Sequence, residues 1–443
     1  MGSLAIRPAR RTLHNLVDVP GSKSLTNRAL LVAALADGTS RLSNVLVAKD
    51  SRLMVDGLRA LGISVGMDEV ARTATIHGTG GHIPFDSADL FCGNSGTTIR
   101  FLTAICSLGM GTYRLHGSER MHERPIGTLV DALRTLGGHY EFTNRDGYPP
   151  LIVHGRGLQA GRIVFDSPPS SQMVSALLMA APYAAGDVFA AIRGACPSRP
   201  FIDMTRSVMK AFGVQVIDSA TVSTPAESES HPQAPRWIVP APQRYVGANY
   251  AIEPDATNAS YFFAAAAAVG GCVTVRGLSK TSVQGDVRFV DVLERMGCTV
   301  TQTAAGLTVA GPAATSKLEG IDVDLGDMPD TAQTLAVLAL VARSPTRIRN
   351  VVNLRLKETD RLAALACELR RLGGRVEVHD DGLTIGPPSQ IRPARVSTYD
   401  DHRMAMSFAL AGLVVEGVVI DQPECVAKTF PEFFTRWASL VEP

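Results

Sequence analysis

Five glycines fall at nearly equal steps along the 443 residues of this chain: Gly62, Gly137, Gly213, Gly297 and Gly373, separated by 75, 76, 84 and 76 residues. Each follows the hydrophobic residue that closes an amphipathic run, and each precedes a hairpin-like pair of strands. A helix that ends on a left-handed residue takes glycine there, because a Cβ would be strained in that conformation. The longest step contains Asp218–Pro235, rich in Ser, Pro and Glu, which reads as a loop insertion. Common solenoid repeats have periods of roughly 20–50 residues, so a longer one points to small α/β modules, each with its own sheet and helices.

A second pattern accompanies the first: a small polar cluster, an apolar helix-like run, often a glycine, then a short β-branched strand. The six polar openings are Ser22–Arg28, Gly93–Arg100, Pro169–Gln172, Asp255–Asn258, Pro329–Gln333 and Tyr399–Arg403. The runs that follow include Phe101–Leu108, Val174–Ala181, Tyr261–Val269, Leu335–Val341 and Met404–Leu413. Repeated modules bury their apolar helices together and point equivalent ends the same way. The six openings are therefore expected to converge on one candidate site.

The length fits two or three domains, which six modules in two groups of three would satisfy. Hydrophobic residues make up 45% of the chain and charged residues 19%, ample for a packed core. A net charge of +1 gives no overall field to recruit nucleic acid or an anionic membrane. Gly, Pro or charge interrupts every apolar run before about 18 residues, so no membrane span is expected. Seven scattered cysteines without a C-x-x-C pair suit reduced, cytosolic thiols and no zinc site. Residues 1–18 carry Arg7, Arg10 and Arg11 but no apolar core, so no targeting peptide is expected.

The first opening shows why the site is expected to be anionic. Gly21 and Ser22 open a turn, Ser24 or Thr26 can cap the helix, and Lys23 and Arg28 sit at its start. Cations there oppose the helix dipole by roughly 0.3–1 kcal/mol each, so they are misplaced unless an anion lies among them. A capped helix with solvated charges is the plainer alternative.

Arg100, Arg124, Lys357, Arg361, Arg403 and Lys428 also occupy turn or helix-start positions, with Asp327, Asp330 and Glu358 as nearby acids. Ser170, Ser171 and Gln172 add neutral hydrogen bonders. Arginine matches carboxylate and phosphate with paired hydrogen bonds, and lysine acts as a mobile point charge. If Asn353–Arg361 is helical, Lys357 and Arg361 share one face, and Leu362, Leu365, Leu369 and Leu372 form the buried stripe. The alternative for those charges is a surface salt-bridge ladder. Glu358 among cations is expected to stay ionised. Asp330 stands at the N-cap position of a helix over Thr331–Val341, where capping alone is the commoner role. Asp401-His402-Arg403 opens another helix. No nucleophile elbow, phosphate loop, dinucleotide fingerprint or metal-ligand pattern is present. A cofactor-free site for anionic substrates follows, working by positioning, proton transfer and charge stabilisation.

Pro20–Arg28, Gly93–Thr97, Glu123–Ile126, Ser170–Gln172, Arg355–Arg361, Asp401–Met404 and Ala427–Pro431 closely resemble the 5-enolpyruvylshikimate-3-phosphate (EPSP) synthase family, the 3-phosphoshikimate 1-carboxyvinyltransferases. The resemblance runs in order from about residue 15 to 435. It implies an α/β fold of the inside-out enolpyruvyl transferase type. Each of its two domains would have three repeated β-α-β-α-β-β units around buried parallel helices. Residues 1–20 with 249–443 would form one domain and 21–248 the other, with the active site in the cleft between them and closure on substrate binding.

The implied reaction transfers the enolpyruvyl group of phosphoenolpyruvate to the 5-hydroxyl of shikimate 3-phosphate and releases phosphate, within the shikimate route to chorismate and the aromatic amino acids. By resemblance, Lys23, Ser24, Arg28, Ser170, Ser171, Gln172, Ser198, Asp330, Asn353 and Lys357 hold shikimate 3-phosphate. Lys23, Asn94, Gly96, Arg124, Gln172, Arg361, Arg403 and Lys428 hold phosphoenolpyruvate. Asp330, Glu358, Lys23 and Lys357 are the expected catalytic groups. No metal or cofactor is implied, and a cytoplasmic monomer without nucleic-acid or membrane partners is expected.

Two departures from the family pattern lie beside the phosphoenolpyruvate place: Ser95 stands for a common Ala and Phe101 for a common Pro. They put the response to glyphosate, which occupies that place in the family, in question and favour reduced sensitivity, although Gly96 is kept. Phe201, where Tyr is frequent, removes one hydroxyl. The nearest rival is the sister transferase acting on UDP-N-acetylglucosamine, which usually carries a reactive Cys on a mobile loop. The matching stretch Gly117–Arg124 has none. The rival from another class is a non-catalytic phosphate-ligand or nucleic-acid binding module, against which the retained acids and few aromatics weigh.

Overall fold

A computed structural model describes residues 2–219, 236–312 and 317–441. Of the expected loop insertion, residues 220–235 lie outside the described residues. Two compact units make up the chain, residues 23–252 and residues 1–22 with 253–443. The strand Asn249–Ala251, expected in the unit that holds the C-terminus, instead pairs in parallel with Arg41–Ser43 of the 23–252 unit.

Twelve helices alternate between two kinds among the described residues. In the 23–252 unit these are α1 (Lys23–Leu35), α2 (Lys49–Ala60), α3 (Gly96–Cys106), α4 (Gly127–Thr135), α5 (Ser171–Ala180) and α6 (Pro200–Ala211). In the other unit they are α7 (Ala256–Val269), α8 (Phe289–Arg295), α9 (Ala332–Leu338), α10 (Arg361–Arg371), α11 (His402–Val414) and α12 (Phe433–Ala438). The odd-numbered helices α1, α3, α5, α7, α9 and α11 are largely apolar and buried nearly throughout. A helix hydrophobic all round belongs inside a core, whereas α2, α4, α6, α8 and α10 bury one face only.

Every four-stranded sheet repeats one plan: one parallel pair, then two antiparallel pairs. In both units one sheet borrows a strand from a distant part of the chain. Leu13–Val17 pairs in parallel with Gly271–Val275, just as Asn249–Ala251 completes the sheet beside α1. The sixth sheet has three strands, with Ser3–Ala5 antiparallel to Val419–Asp421.

The five periodic glycines all have left-handed backbone, with φ of 87°, 84°, 87°, 103° and 94° in chain order. After α2, the N–H of Gly62 bonds the carbonyl of Arg59 and that of Ile63 bonds Leu58. The same pair of bonds follows α4, α6, α8 and α10, so one Schellman motif closes all five helices. The sixth module ends differently, with α12 running into Ser439, which is why the sequence shows five such glycines. Among the described residues no helix is long and apolar enough to cross a membrane, and all seven cysteines are free.

Candidate active site

In the 23–252 unit, the starts of α1, α3 and α5 carry linked polar groups. Ser95 caps α3 by accepting the N–H of Thr98, and Ser170 caps α5 by accepting that of Gln172. Gln172 ties the two starts together: its Oε1 accepts from Arg100 at 2.7 Å and its Nε2 donates to Thr97 at 3.3 Å. Arg124 donates to the backbone and side-chain oxygens of Asn94 at 2.9 and 3.0 Å. Gly96 lies against this arginine pair, since a Cβ there would sit 2.6 Å from Arg124 Nη2 and 2.7 Å from Arg100 Nη1. No side chain larger than hydrogen fits without moving the guanidinium groups. Ser198 is buried in a left-handed conformation, with φ of 60°, beside α6.

Lys23 is the first residue of α1, with its ammonium 3.7 Å from Asp50. The expected capping by Ser24 or Thr26 does not occur. Both lie inside α1, where the Ser24 carbonyl accepts from Arg28 and the Thr26 hydroxyl accepts the N–H of Leu46. Arg28 is buried, and its guanidinium donates to Thr205, Ser24, Ser175 and Phe201. Burial without a carboxylate partner lowers its pKa to about 9. Phe101, fully buried in α3, lies beneath it with 5.2 Å between guanidinium carbon and ring centre. The departure from proline at this position thus supplies a cation–π contact.

In the other unit, acids and cations interlock around Arg361, the first residue of α10 and 1% exposed. Its guanidinium donates to Asp401 at 2.7 and 3.2 Å, to Asp330 at 3.1 Å and to Glu358 at 2.9 Å. Burial lowers the proton affinity of Arg361, but Asp401, Glu358 and Asp330 outweigh it and leave the pKa raised. Arg403 donates to Asp330 at 2.9 Å and to the Tyr261 hydroxyl at 3.3 Å, and its pKa is likewise raised against its burial, chiefly by Asp330. The Lys357 ammonium is 3.5 Å from Asp330, and Lys428 donates to Glu358 at 2.8 Å. Asp401 also caps α11 through the N–H of Arg403, while His402 beside it is fully buried. Asn353 is buried close to Lys357 in sequence, and its side-chain oxygen has no hydrogen-bond partner.

Two local expectations are corrected here. Asp330 is not the N-cap of α9: Pro329–Thr331 form a short 3-10 turn, Thr331 holds the cap position, and the Asp330 carboxylate turns to Arg361, Arg403 and Lys357. Lys357 and Arg361 do not share a helical face. A 3-10 turn over Val352–Leu356 ends at Lys357 in extended backbone, and Asp360 then caps α10. The two cations still meet, but through Asp330. The leucine stripe Leu362, Leu365, Leu369 and Leu372 is buried as expected. Tyr261 and Asp50 belong to these networks, and Asp286 acts on Asp330 and Arg403 through space; none carries a sequence signal that separates it from ordinary core or turn residues.

A family model for EPSP synthase (3-phosphoshikimate 1-carboxyvinyltransferase) matches residues 8–437. This chain belongs to that family. It is 45% identical over 442 residues to the 3-phosphoshikimate 1-carboxyvinyltransferase of Nostoc punctiforme, covering 100% of both chains. It is 46% identical over 438 residues to that of a Sulfurovum species, covering 98% of each. Among solved structures, EPSP synthase from Acinetobacter baumannii superposes with a TM-score of 0.77 at 26% identity, over 98% of this chain and 97% of the other. The enolpyruvyl transferase NikO from Streptomyces tendae shares the fold, with a TM-score of 0.76 at 19% identity over 99% and 97%. The inside-out α/β architecture implied by the motifs is the one observed.

Proposed function

We propose that the chain transfers the enolpyruvyl group of phosphoenolpyruvate to the 5-hydroxyl of shikimate 3-phosphate, and that its two polar networks divide the work. The observation that carries this reading is Asp330, a carboxylate held by three cations at the start of a buried helix. Asp330 accepts the 5-hydroxyl proton while Lys357 orients that oxygen and steadies its charge. Attack at C2 of the enol gives a tetrahedral adduct as the Lys23 ammonium, or Glu358 once it has taken up a proton from solvent, or both, supply the proton that makes the CH₂ a methyl group. Elimination returns that proton, re-forms the double bond and expels phosphate.

Lys23, Ser24, Ser170, Ser171, Gln172, Ser198, Asn353 and Lys357 would hold shikimate 3-phosphate, with Arg28 acting as a buried charge behind Lys23 and Ser24. Asn94, Gly96, Arg124, Gln172, Arg361, Arg403, Lys23 and Lys428 would hold phosphoenolpyruvate. Preorganised donors of this kind contribute on the order of 3–4 kcal/mol each where charge develops.

Gly96→Ala tests the donor's place. The added methyl group must displace Arg124 and Arg100, the ends of flexible side chains. The Michaelis constant for phosphoenolpyruvate should rise by about 10- to 100-fold, the loss of one hydrogen bond to a charged group. That for shikimate 3-phosphate should change far less. Equal effects on both substrates would place the donor elsewhere.

Glyphosate gives a second test. Phe101 packs under Arg28 and Ser95 bonds the Thr98 hydroxyl at 2.8 Å, so the start of α3 is pinned by contacts that proline and alanine could not make. Weak inhibition competitive with phosphoenolpyruvate is expected, and Phe101→Pro should tighten it. An inhibition constant far below the Michaelis constant for phosphoenolpyruvate in the unaltered protein would contradict this.

A further inference from the structure

Asp286 lies in the short turn Gly285–Arg288, in the same unit as Asp330. The turn is fixed at both ends. Gln284 accepts the N–H of Ala256 at the start of α7 and donates to the Pro254 carbonyl and to Glu253, at 3.1, 2.8 and 3.1 Å. Arg288 pairs with Asp327 at 3.2 Å, on the loop that leads into Asp330. Asp286 is therefore held between the start of α7 and the loop carrying the proposed base.

Its environment suits a neutral carboxylic acid. Asp286 is 2% exposed; Oδ2 accepts from the Thr257 hydroxyl, and Oδ1 is buried without a hydrogen-bond partner. An ionised carboxylate in such a place needs several donors or a cation of its own. The charged groups that act on it through space are Asp330, Arg403 and Asp255. Arg403 already donates to Asp330 and Tyr261, and Asp255 accepts the N–H of Asn258 as the cap of α7. Two carboxylates and one shared guanidinium leave little to stabilise a third negative charge.

We propose that Asp286 is a positioning residue that works as the neutral acid, leaving Arg403 free of a competing carboxylate so that its guanidinium serves Asp330 and an anionic substrate. Burial first, and then Asp330, raise the pKa of Asp286 to about 7, whereas Thr257 lowers it and Arg403 opposes the rise. Its ionisation as the pH climbs adds a second negative charge that acts through space on Arg403, without a hydrogen bond to it, and weakens the pull of the guanidinium on the substrate anion. This role rests on the reading that Arg403 holds phosphoenolpyruvate.

The test uses the whole enzyme and two variants, Asp286→Asn, a permanent neutral mimic, and Thr257→Val, which removes the hydrogen bond to the ionised form. The ratio of kcat/KM for phosphoenolpyruvate between wild type and Asp286→Asn is followed from pH 6 to 9, so that titration of the substrates' own phosphates cancels. Asp286→Asn should stay active near neutrality. The ratio should fall above about pH 7, by at most about tenfold per pH unit, the limit for one proton. Thr257→Val should move that fall to higher pH, because losing the donor raises the pKa further.

A second readout is independent of activity. An acid whose folded pKa lies above its unfolded value stabilises the fold fully below the unfolded pKa, near 4, and loses that contribution as pH rises to about 7. Unfolding midpoints of wild type and Asp286→Asn should therefore diverge in favour of the variant between pH 4 and 7 and run parallel above. A pH-independent ratio, or a folded Asp286→Asn protein inactive at every pH, would overturn the proposal. Parallel midpoints from pH 4 to 7 would overturn it as well. If the pair of substrates gives no turnover in the wild type, the functional reading fails, while the unfolding comparison still decides the charge state of Asp286.

Discussion

Asp330→Asn is expected to lower kcat by about 10²- to 10⁴-fold, the range for removing a positioned general base. The substitution keeps the size and shape of the side chain but takes away the charge and the proton acceptor. Shikimate 3-phosphate should still bind, since its other proposed contacts lie on residues the substitution leaves alone. Phosphoenolpyruvate should bind no more weakly, and a small gain is expected. Arg361 and Arg403 both donate to Asp330 at present, at 3.1 and 2.9 Å, and each would keep more of its charge for a bound anion. Steady-state kinetics with direct titration of each substrate separates these effects. Near-wild-type turnover in Asp330→Asn would remove Asp330 as the base. A loss of affinity equal to the loss of turnover would make it a binding group only.

Arg361→Met should be the most damaging single change to stability. Three carboxylates surround this guanidinium, and Asp401 is 0% exposed. Methionine fills similar space but leaves the buried Asp401 carboxylate without its arginine, while Asp330 keeps Arg403 and Lys357 and Glu358 keeps Lys428; one uncompensated buried charge costs about 3–5 kcal/mol. Arg361→Lys should recover little, because one ammonium cannot reproduce a planar fork that reaches Asp330, Glu358 and Asp401 together. The two tryptophans make the effect local to measure. Trp437 on α12 stacks on Phe433 with ring centres 5.1 Å apart, in the same unit as Arg361, and Trp237 lies in the other unit. In a Trp237→Phe background, the Trp437 fluorescence transition in denaturant should move to lower concentration. An unchanged midpoint would mean that the buried carboxylates take up protons or repack at little cost.

The parts of this structure that the sequence made legible are those fixed by local chemistry. A glycine after a helix needs only the preceding turn to explain it, so the repeat at Gly62, Gly137, Gly213, Gly297 and Gly373 is visible in the residues alone. The apolar runs gave the buried helices for the same reason, because no polar face was left for solvent. The motif strings then supplied the family and the candidate site residues. What stayed hidden depends on contacts between distant segments. Asp330 looked like a helix cap, but Pro329 begins a 3-10 turn and two arginines from α10 and α11 claim the carboxylate. Lys357 and Arg361 looked like helical neighbours four residues apart, but the chain is extended at Lys357 and restarts its helix after Asp360. Asp286 gave no sign at all, since an acid's burial is decided by what packs over it.

The central claim is the reaction itself, and phosphate release from phosphoenolpyruvate tests it most directly. The protein would be offered shikimate 3-phosphate and, separately, UDP-N-acetylglucosamine, with the products identified by mass. Release with shikimate 3-phosphate alone, accompanied by its enolpyruvyl ether, is the result expected. Release only with the nucleotide sugar, or none with either acceptor from folded protein, would contradict the account.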